Sequence, residues 1–261
     1  MLKRLFRSIA RFGAPAADPA APADALLLYI GTTTGHHYAL WNGDFYPSGL
    51  IGTDMRGYCA QPFDTIEIRS SFYRMPNPEM FANWADQVPA EFRFALLASS
   101  RITHLQRLNG AEEATRYFLR ATNALGPRRG PLLFQLPAGF TLDKARFARF
   151  LELLPADVSA AFEFPDPSWH DDAIYKELHR RNYAVSVGDS EAGASSFVAT
   201  ADWGYVRLGR ADYSDRDLTH WLNQIRSPTW RAVYVYFRHE DEARAQDHAQ
   251  RLEALAAGNG S

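Results

Sequence analysis

The chain has 261 residues, 46% hydrophobic and 22% charged, which predicts one large core of ordinary composition. A formal charge of -2 at pH 7 supplies no global attraction to nucleic acid, leaving only a local patch to provide one. With no run of about 18 successive apolar residues, integral membrane association is not expected. The lone Cys59 excludes an intrachain disulfide and points to a reducing, cytoplasmic location. No base flanks it in GYCAQP, so it reads as a packed thiol and not a nucleophile.

Residues 1–24 stand apart. In MLKRLFRSIARF, Leu2, Leu5, Phe6, Ile9 and Phe12 follow helical spacing opposite Lys3, Arg4, Arg7 and Arg11, and the Ala/Pro linker GAPAADPAAPAD follows. The charges interrupt any secretory apolar stretch. So short a basic amphipathic helix is marginal without a surface to bind. The segment is therefore expected to be a disordered extension, with the folded domain over 25–258.

From residue 26 short apolar runs alternate with helical stretches. The predicted strands are LLLYIG (26–31), DTIEIRS (64–70), FRFALL (92–97), PLLFQ (131–135), SAAFEF (159–164), YAVSVG (183–188), WGYVRL (203–208) and AVYVYF (232–237). Between them lie the predicted helices PEMFANWADQV, EEATRYFLRATNAL, DKARFARFLELL, DDAIYKELHRR, DRDLTHWLNQI and DEARAQDHAQRLEAL. The stretch from Asp189 to Asp202 carries little helical signal. Eight strands alternating with helices fit a single-domain α/β fold, a closed parallel (β/α)8 barrel of the TIM type. An open doubly wound sheet is the alternative, but IGTTTGHHY lacks the GxGxxG turn that such a sheet carries after its first strand.

Catalytic groups of such a barrel gather at the carboxyl ends of the strands. The polar strand residues here come late: Glu67 and Arg69, Gln135, Glu163, Asp189, Arg207, then Arg238 and His239. Their apolar neighbours, as in FEF around Glu163 and VRL around Arg207, aim them at the barrel axis. An internal ion-pair plug is the bland account, but buried pairs are poor stabilisers. Paired carboxylates at strand tips serve as general acid and base or hold a divalent ion. His36, His37, His104, His170 and His239 also lie near strand ends, though without the HxH or HExxH spacing of a metal motif. His179, His220 and His248 sit in helices with polar neighbours and are expected at the surface. Among the basic residues between 101 and 129, Arg101 alone is placed to reach the mouth; with Tyr38, Trp41, Tyr73, Trp169 and Tyr213 it would clamp a sugar, base or phosphate.

The motifs IGTTTGHHYALWNGDFYP, FDTIEIRSSFYRMP, FRFALLASSRITH, GPLLFQLPAGF, AAFEFPDPSW, VGDS, YVRLGRADYSD and VYVYF, in this order, resemble the YecE-like family, number 72 among domains of unknown function. The resemblance covers nearly all of residues 28–240 and implies a (β/α)8 barrel. It matches the family's polar tips to Glu67, Arg101, His104, Gln135, Glu163, Trp169, Asp189 and Arg207. Departures are as informative. The family pattern has GTSGWSY for GTTTGHHY, asparagine at Arg69, lysine at Leu97, arginine and histidine at Pro165 and Asp166, and asparagines around Arg238 and His239.

Two readings follow. One is an enzyme of hydrolase, lyase or isomerase type acting on a phosphorylated, sugar-like or nucleic-acid substrate. In it Glu67, His104, Glu163, Asp189 and Arg207 are catalytic, and Tyr38, Trp41, Arg69, Tyr73, Arg101, Gln135, Trp169, Tyr213, Arg238 and His239 bind substrate. The other is a binding barrel without chemistry, or one whose catalysis has degraded, for nucleic acid or a protein partner. Neither reading names a cofactor, a divalent metal being the one candidate.

Overall fold

The computed structural model describes residues 26–34, 63–75, 77–227, 230–238 and 244–258. The basic segment and linker of residues 1–24, Cys59 and the histidines His36, His37 and His239 lie outside them. Eight parallel strands run β1 (Leu27–Thr34), β2 (Thr65–Ile68), β3 (Arg93–Leu97), β4 (Arg129–Gln135), β5 (Ala160–Glu163), β6 (Ala184–Ser190), β7 (Trp203–Gly209) and β8 (Ala232–Phe237). Each pairs with the next, and β8 pairs with β1 from Leu27–Ala232 through Thr32–Phe237. The sheet is therefore closed, as the alternation of elements predicts.

Helices α1 (Ser70–Tyr73), α2 (Pro78–Asp86), α3 (Glu112–Thr122), α4 (Lys144–Leu151), α5 (Asp172–Arg180), α6 (Asp215–Arg226) and α7 (Arg244–Ala256) alternate with the strands. Their starts follow local chemistry. The side chains of Asn77, Asp143 and Asp171 accept backbone N–H bonds in the first turns of α2, α4 and α5, and Ser214 with Asp217 forms a reciprocal capping box on α6. Three short helices escape the sequence reading: α1, the π-helical turn Arg101–Leu105 and the 3-10 turn Pro167–Trp169. After β6 the weakly patterned stretch carries only a two-residue strand, Gly193–Ala194, antiparallel to the end of β6.

Strand alternation divides the core in two. Outward residues such as Ile66, Ile68, Phe94, Leu96, Phe134, Phe162, Val185, Val187, Val206 and Val235 pack under the helices. Inward residues Ala95, Leu97, Leu133, Ala161, Ala184, Trp203, Tyr205, Tyr234 and Tyr236 fill the barrel. Tyr29 stacks on Tyr234 at 4.7 Å between ring centroids, low in that interior. One layer higher, the Tyr236 hydroxyl and Thr65 Oγ1 share a 2.7 Å hydrogen bond. The interior is thus a packed floor, and polar groups begin above it.

Candidate functional site at the barrel mouth

Glu67 sits above the floor on β2, fully buried. Its Oε2 accepts from Thr33 Oγ1 of the neighbouring β1 at 3.0 Å and from Arg207 Nη2 at 2.9 Å, and its Oε1 accepts from the Tyr205 hydroxyl at 3.0 Å. Arg207, 5% exposed on β7, turns its other terminal nitrogen to Glu163 Oε2 on β5. Glu163 Oε1 in turn accepts from Gln135 Nε2 of β4 at 2.7 Å. A single guanidinium therefore ties two carboxylates across the barrel. Only Glu163 reaches solvent, its side chain being 22% exposed against 0% for Glu67. Backbone approach sets this geometry: β6 passes β7 so closely at Gly188 that a Cβ there would lie 1.8 Å from the Arg207 carbonyl oxygen.

Electrostatics separates the members. Burial pushes the Glu163 carboxyl upward, but the charges of Arg207 and Arg238 and the hydrogen bonds from Arg207 and Gln135 outweigh it and hold its pKa below the usual range. Glu163 is accordingly a carboxylate at neutral pH. Burial opposes the charge of Arg207, and the two glutamates more than restore it. Arg207 Nε is buried without a hydrogen-bond partner among the described residues. Arg238, just beyond β8, is half-buried and lies along Gly209, where a Cβ would come within 3.0 Å of its guanidinium. Its pKa is lowered by burial first and by the Arg207 charge second, with Arg69 adding to the repulsion and the two glutamates opposing it. No carboxylate lies within ion-pair distance of Arg238 among the described residues.

The other predicted residues divide by position. Arg69 stands at the residue before α1, its guanidinium 5.9 Å from the centroid of the half-exposed Tyr73 ring. His104 lies in the π-helical turn on the same rim, edge-on to Phe72 at 4.8 Å, and Phe72 packs against the barrel interior. Burial first, then the Arg107 charge, lowers the His104 pKa, so its imidazole is neutral at pH 7. Arg101 is exposed on that turn. Tyr38, Trp41 and His239 lie outside the described residues.

Three predicted residues are not brought to the mouth. Asp189 shares the parity of Val185 and Val187 and faces the helices, where it accepts from the Tyr213 hydroxyl and from Trp221 Nε1 at 3.1 Å. Tyr213 is 1% exposed and belongs to the same outer layer. Trp169 is fully buried beneath α4, stacked on Phe164 at 5.1 Å with its indole N–H donated to the Phe140 carbonyl. The expectation that late polar residues all face the axis thus fails on β6, where Asp189 carries the outward parity of its strand, and after β5 and β7, where Trp169 and Tyr213 go to the outer core. His248 is also corrected: it is 3% exposed, with Nε2 3.2 Å from Asp212 Oδ1. Conversely, Thr33, Tyr205 and Tyr236 belong to the polar layer. Tyr205 and Tyr236 share the parity of Arg207 and of Arg238, which is the signal that finds them. Among the described residues no three His, Cys, Asp or Glu side chains converge as a metal site, and no helix is long and apolar enough to cross a membrane.

A family model described as Protein of unknown function DUF72 matches residues 29–260. The chain belongs to this family. It is 27% identical over 137 residues to UPF0759 protein YecE of Escherichia coli (strain K12), covering 50% of each, so it spans about half the length of that curated relative. UPF0759 protein YunF of Bacillus subtilis (strain 168) is 23% identical over 230 residues, covering 83% of this chain and 80% of the relative. The crystal structure of a DUF72 family protein from Thermotoga maritima MSB8 superposes with a TM-score of 0.74 at 22% identity, covering 88% of this chain and 99% of that one. Another, from Enterococcus faecalis V583, gives 0.72 at 18%, covering 90% and 99%. These likenesses show the fold, a single-domain parallel barrel, in agreement with the strand pairing. At the departures from the DUF72 pattern, Leu97 lies inside the barrel, 1% exposed, and Asp166 caps a short helical turn through Ser168 N at 3.0 Å. Ile68 pairs with Leu96, so Arg69 and Leu97 stand next in the same register.

Proposed function

We propose that the mouth binds a small anionic substrate, phosphorylated or sugar-acid-like, and transforms it by proton transfer as an enzyme of the hydrolase, lyase or isomerase type. Arg238 and Arg69 hold the anion, Glu163 accepts the proton, and neutral His104 at the rim relays it. Arg207 fixes the charge and orientation of Glu163 while Glu67 fixes Arg207, so those two are positioning residues beneath the reacting centre.

The observation that carries this reading is the crowding of Arg238. Among the described residues Arg238 meets Arg207 with no carboxylate within ion-pair distance of its own, and it is disfavoured both by burial and by that neighbour. A bound anion relieves that repulsion, and the orphaned Nε–H of Arg207 supports the same ligand sign. A binding barrel without chemistry is the second reading, favoured by the complete engagement of the Glu67 carboxylate with Thr33, Tyr205 and Arg207.

Calorimetric titration with inorganic phosphate and a panel of small phosphate esters and sugar acids tests the proposal, using wild type, Arg238→Gln and Glu163→Gln. Arg238→Gln is expected to weaken binding of the best anion at least about tenfold, the loss of one charge-assisted hydrogen bond. Glu163→Gln should keep binding and abolish turnover in a metabolite screen. Turnover unaffected by Glu163→Gln sinks the catalytic assignment, and binding without turnover in wild type leaves the second reading.

A further inference from the structure

A cleft of about 470 Å³ opens beside the mouth, lined by Arg107, Gly139, Phe140, Thr141, Asp143 and Arg146 among others. Its two walls are the loops that follow β3 and β4, so it faces the same end of the barrel as the mouth yet shares none of the residues placed there. From these walls we infer that the cleft is a second anion site, taking the phosphate group of a phosphate ester.

The chemistry rests on two guanidiniums held against one ring. Arg107 lies 5.9 Å and Arg146 5.4 Å from the Phe140 centroid, and Phe140 is itself 5% exposed and fixed by Trp169 at 5.3 Å. Arg146 pairs with Asp143 at 3.2 Å, whereas Arg107 has no acidic partner among the described residues. Among the described residues the cleft therefore carries two cations against one carboxylate. That carboxylate is already committed, since its Oδ1 also accepts the Arg146 backbone N–H at 2.9 Å to cap α4. A further anion is the species that completes the balance.

The backbone beneath Arg107 is built to present it. Arg107 and Leu108 both lie in the left-handed region, at φ of 45° and 64°, a conformation that costs about 1–2 kcal/mol per residue without glycine. The fold holds it in place: Leu108 is buried, its N–H bonds to the Ile102 carbonyl at 3.0 Å, and Gln106 Nε2 donates to the Gly110 carbonyl at 2.8 Å. Strain of this kind persists where surrounding structure over-determines it, and ligand clamps are where it collects. The volume exceeds what a bare ion needs and falls in the range of small-molecule clefts, which argues for an ester and not free phosphate as the natural occupant. His104 feels the Arg107 charge from the other side of the same turn, so a filled cleft would be reported at the rim of the mouth.

Calorimetry with glycerol phosphate as probe, at low salt, tests the site with four proteins: wild type, Arg107→Asn, Arg146→Gln and Arg238→Gln. Asparagine is chosen at position 107 because it tolerates the left-handed backbone. Arg107→Asn and Arg146→Gln are each expected to weaken one binding event at least about tenfold and to leave any event sensitive to Arg238→Gln unchanged. In parallel, NMR titration of His104 in wild type should move to higher pH on adding the probe, and should not respond to it in Arg107→Asn. Should Arg107→Asn fail to fold, Arg146→Gln, on a partly exposed helical position, carries the test alone. An event that only Arg238→Gln weakens overturns the cleft site while sparing the mouth. An event lost in Arg107→Asn and Arg146→Gln, with none that responds to Arg238→Gln, supports the cleft and sinks the mouth, and no event at all overturns the inference.

Discussion

Replacing Arg207 by leucine removes the one cation between two carboxylates while leaving a side chain of apolar bulk in the barrel. Arg207 is 5% exposed and Glu67 fully buried, so the variant leaves the Glu67 charge buried with only the Thr33 and Tyr205 hydroxyls to solvate it. Breaking a buried pair from one side costs about 3–5 kcal/mol, because a charge stays behind uncompensated. For a domain of this size about 2–4 °C of midpoint follows each kcal/mol, giving a loss of about 6–20 °C by calorimetry. Urea denaturation at pH 7 measures the same quantity as a free energy. The double variant Arg207→Leu with Glu67→Leu should recover at least about 1 kcal/mol of that loss, since it deletes the stranded charge as well. A single-variant loss below about 1 kcal/mol, or a double variant equal to the sum of the singles, would refute the buried triad as the structural anchor of the mouth.

The remaining predictions separate the mouth from the layers around it. The pKa of Glu163 is lower folded than unfolded, so the stability it contributes is present above the unfolded value of about 4.3 and lost as pH falls through the folded one. The gap between wild type and Glu163→Gln in urea titrations should therefore be constant from pH 7 to 5 and shrink only below about pH 4; a gap that shrinks between pH 7 and 5 contradicts the charge assignment. Asp189→Ala should cost about 1–3 kcal/mol for each of the Tyr213 and Trp221 donors it orphans, with anion affinity unchanged; a selective loss of affinity in a stable variant would return Asp189 to the site. Trp169→Ala should cost about 3–5 kcal/mol as a core cavity, again sparing affinity in whatever fraction stays folded. Arg238→Gln should leave the thermal midpoint unchanged or slightly raised, since its charge is disfavoured where it stands, and a marked fall in the midpoint would show it to be a structural cation.

The barrel was readable because both of its signals are local. AVYVYF coincides with β8 at both ends, and the other seven strands shift by only one to three residues. Apolar runs bounded by turn residues need no knowledge of partners, and the capped helices between them start within a residue of where the segments opening at Pro78, Asp143, Asp171 and Asp215 place them. What escaped were α1 and the turns Arg101–Leu105 and Pro167–Trp169, each about a single turn without room for a periodic pattern. His248 escaped for a related reason: its neighbours in α7 are polar, but tertiary packing against Tyr213 and Phe237 buries it.

For the site, lateness in a strand proved a weaker guide than parity. Glu67, Glu163 and Arg207 were legible because apolar partners flank each of them on the helix side. Asp189 had the same lateness but the parity of Val185 and Val187, so it was drawn to the hydrogen-bond donors of the helix layer. Trp169 and Tyr213 followed strand ends in sequence and still went to the core, because a large ring near a barrel rim gains more from burial among Phe140, Phe147 and Phe164 or Phe237 than from solvent. Parity also explains the exchange at β2 and β3. Position 97 points into the barrel one inward step beyond Ala95, the register partner of Glu67; the family resemblance implies a lysine there and this chain has a leucine, 1% exposed. Position 69, opposite it in register on β2, is half-buried and carries the arginine. With Arg238 half-buried beyond β8, the guanidiniums of Arg69 and Arg238 stand above the Glu67–Arg207 pair, so the proposed anion would meet them without displacing that pair.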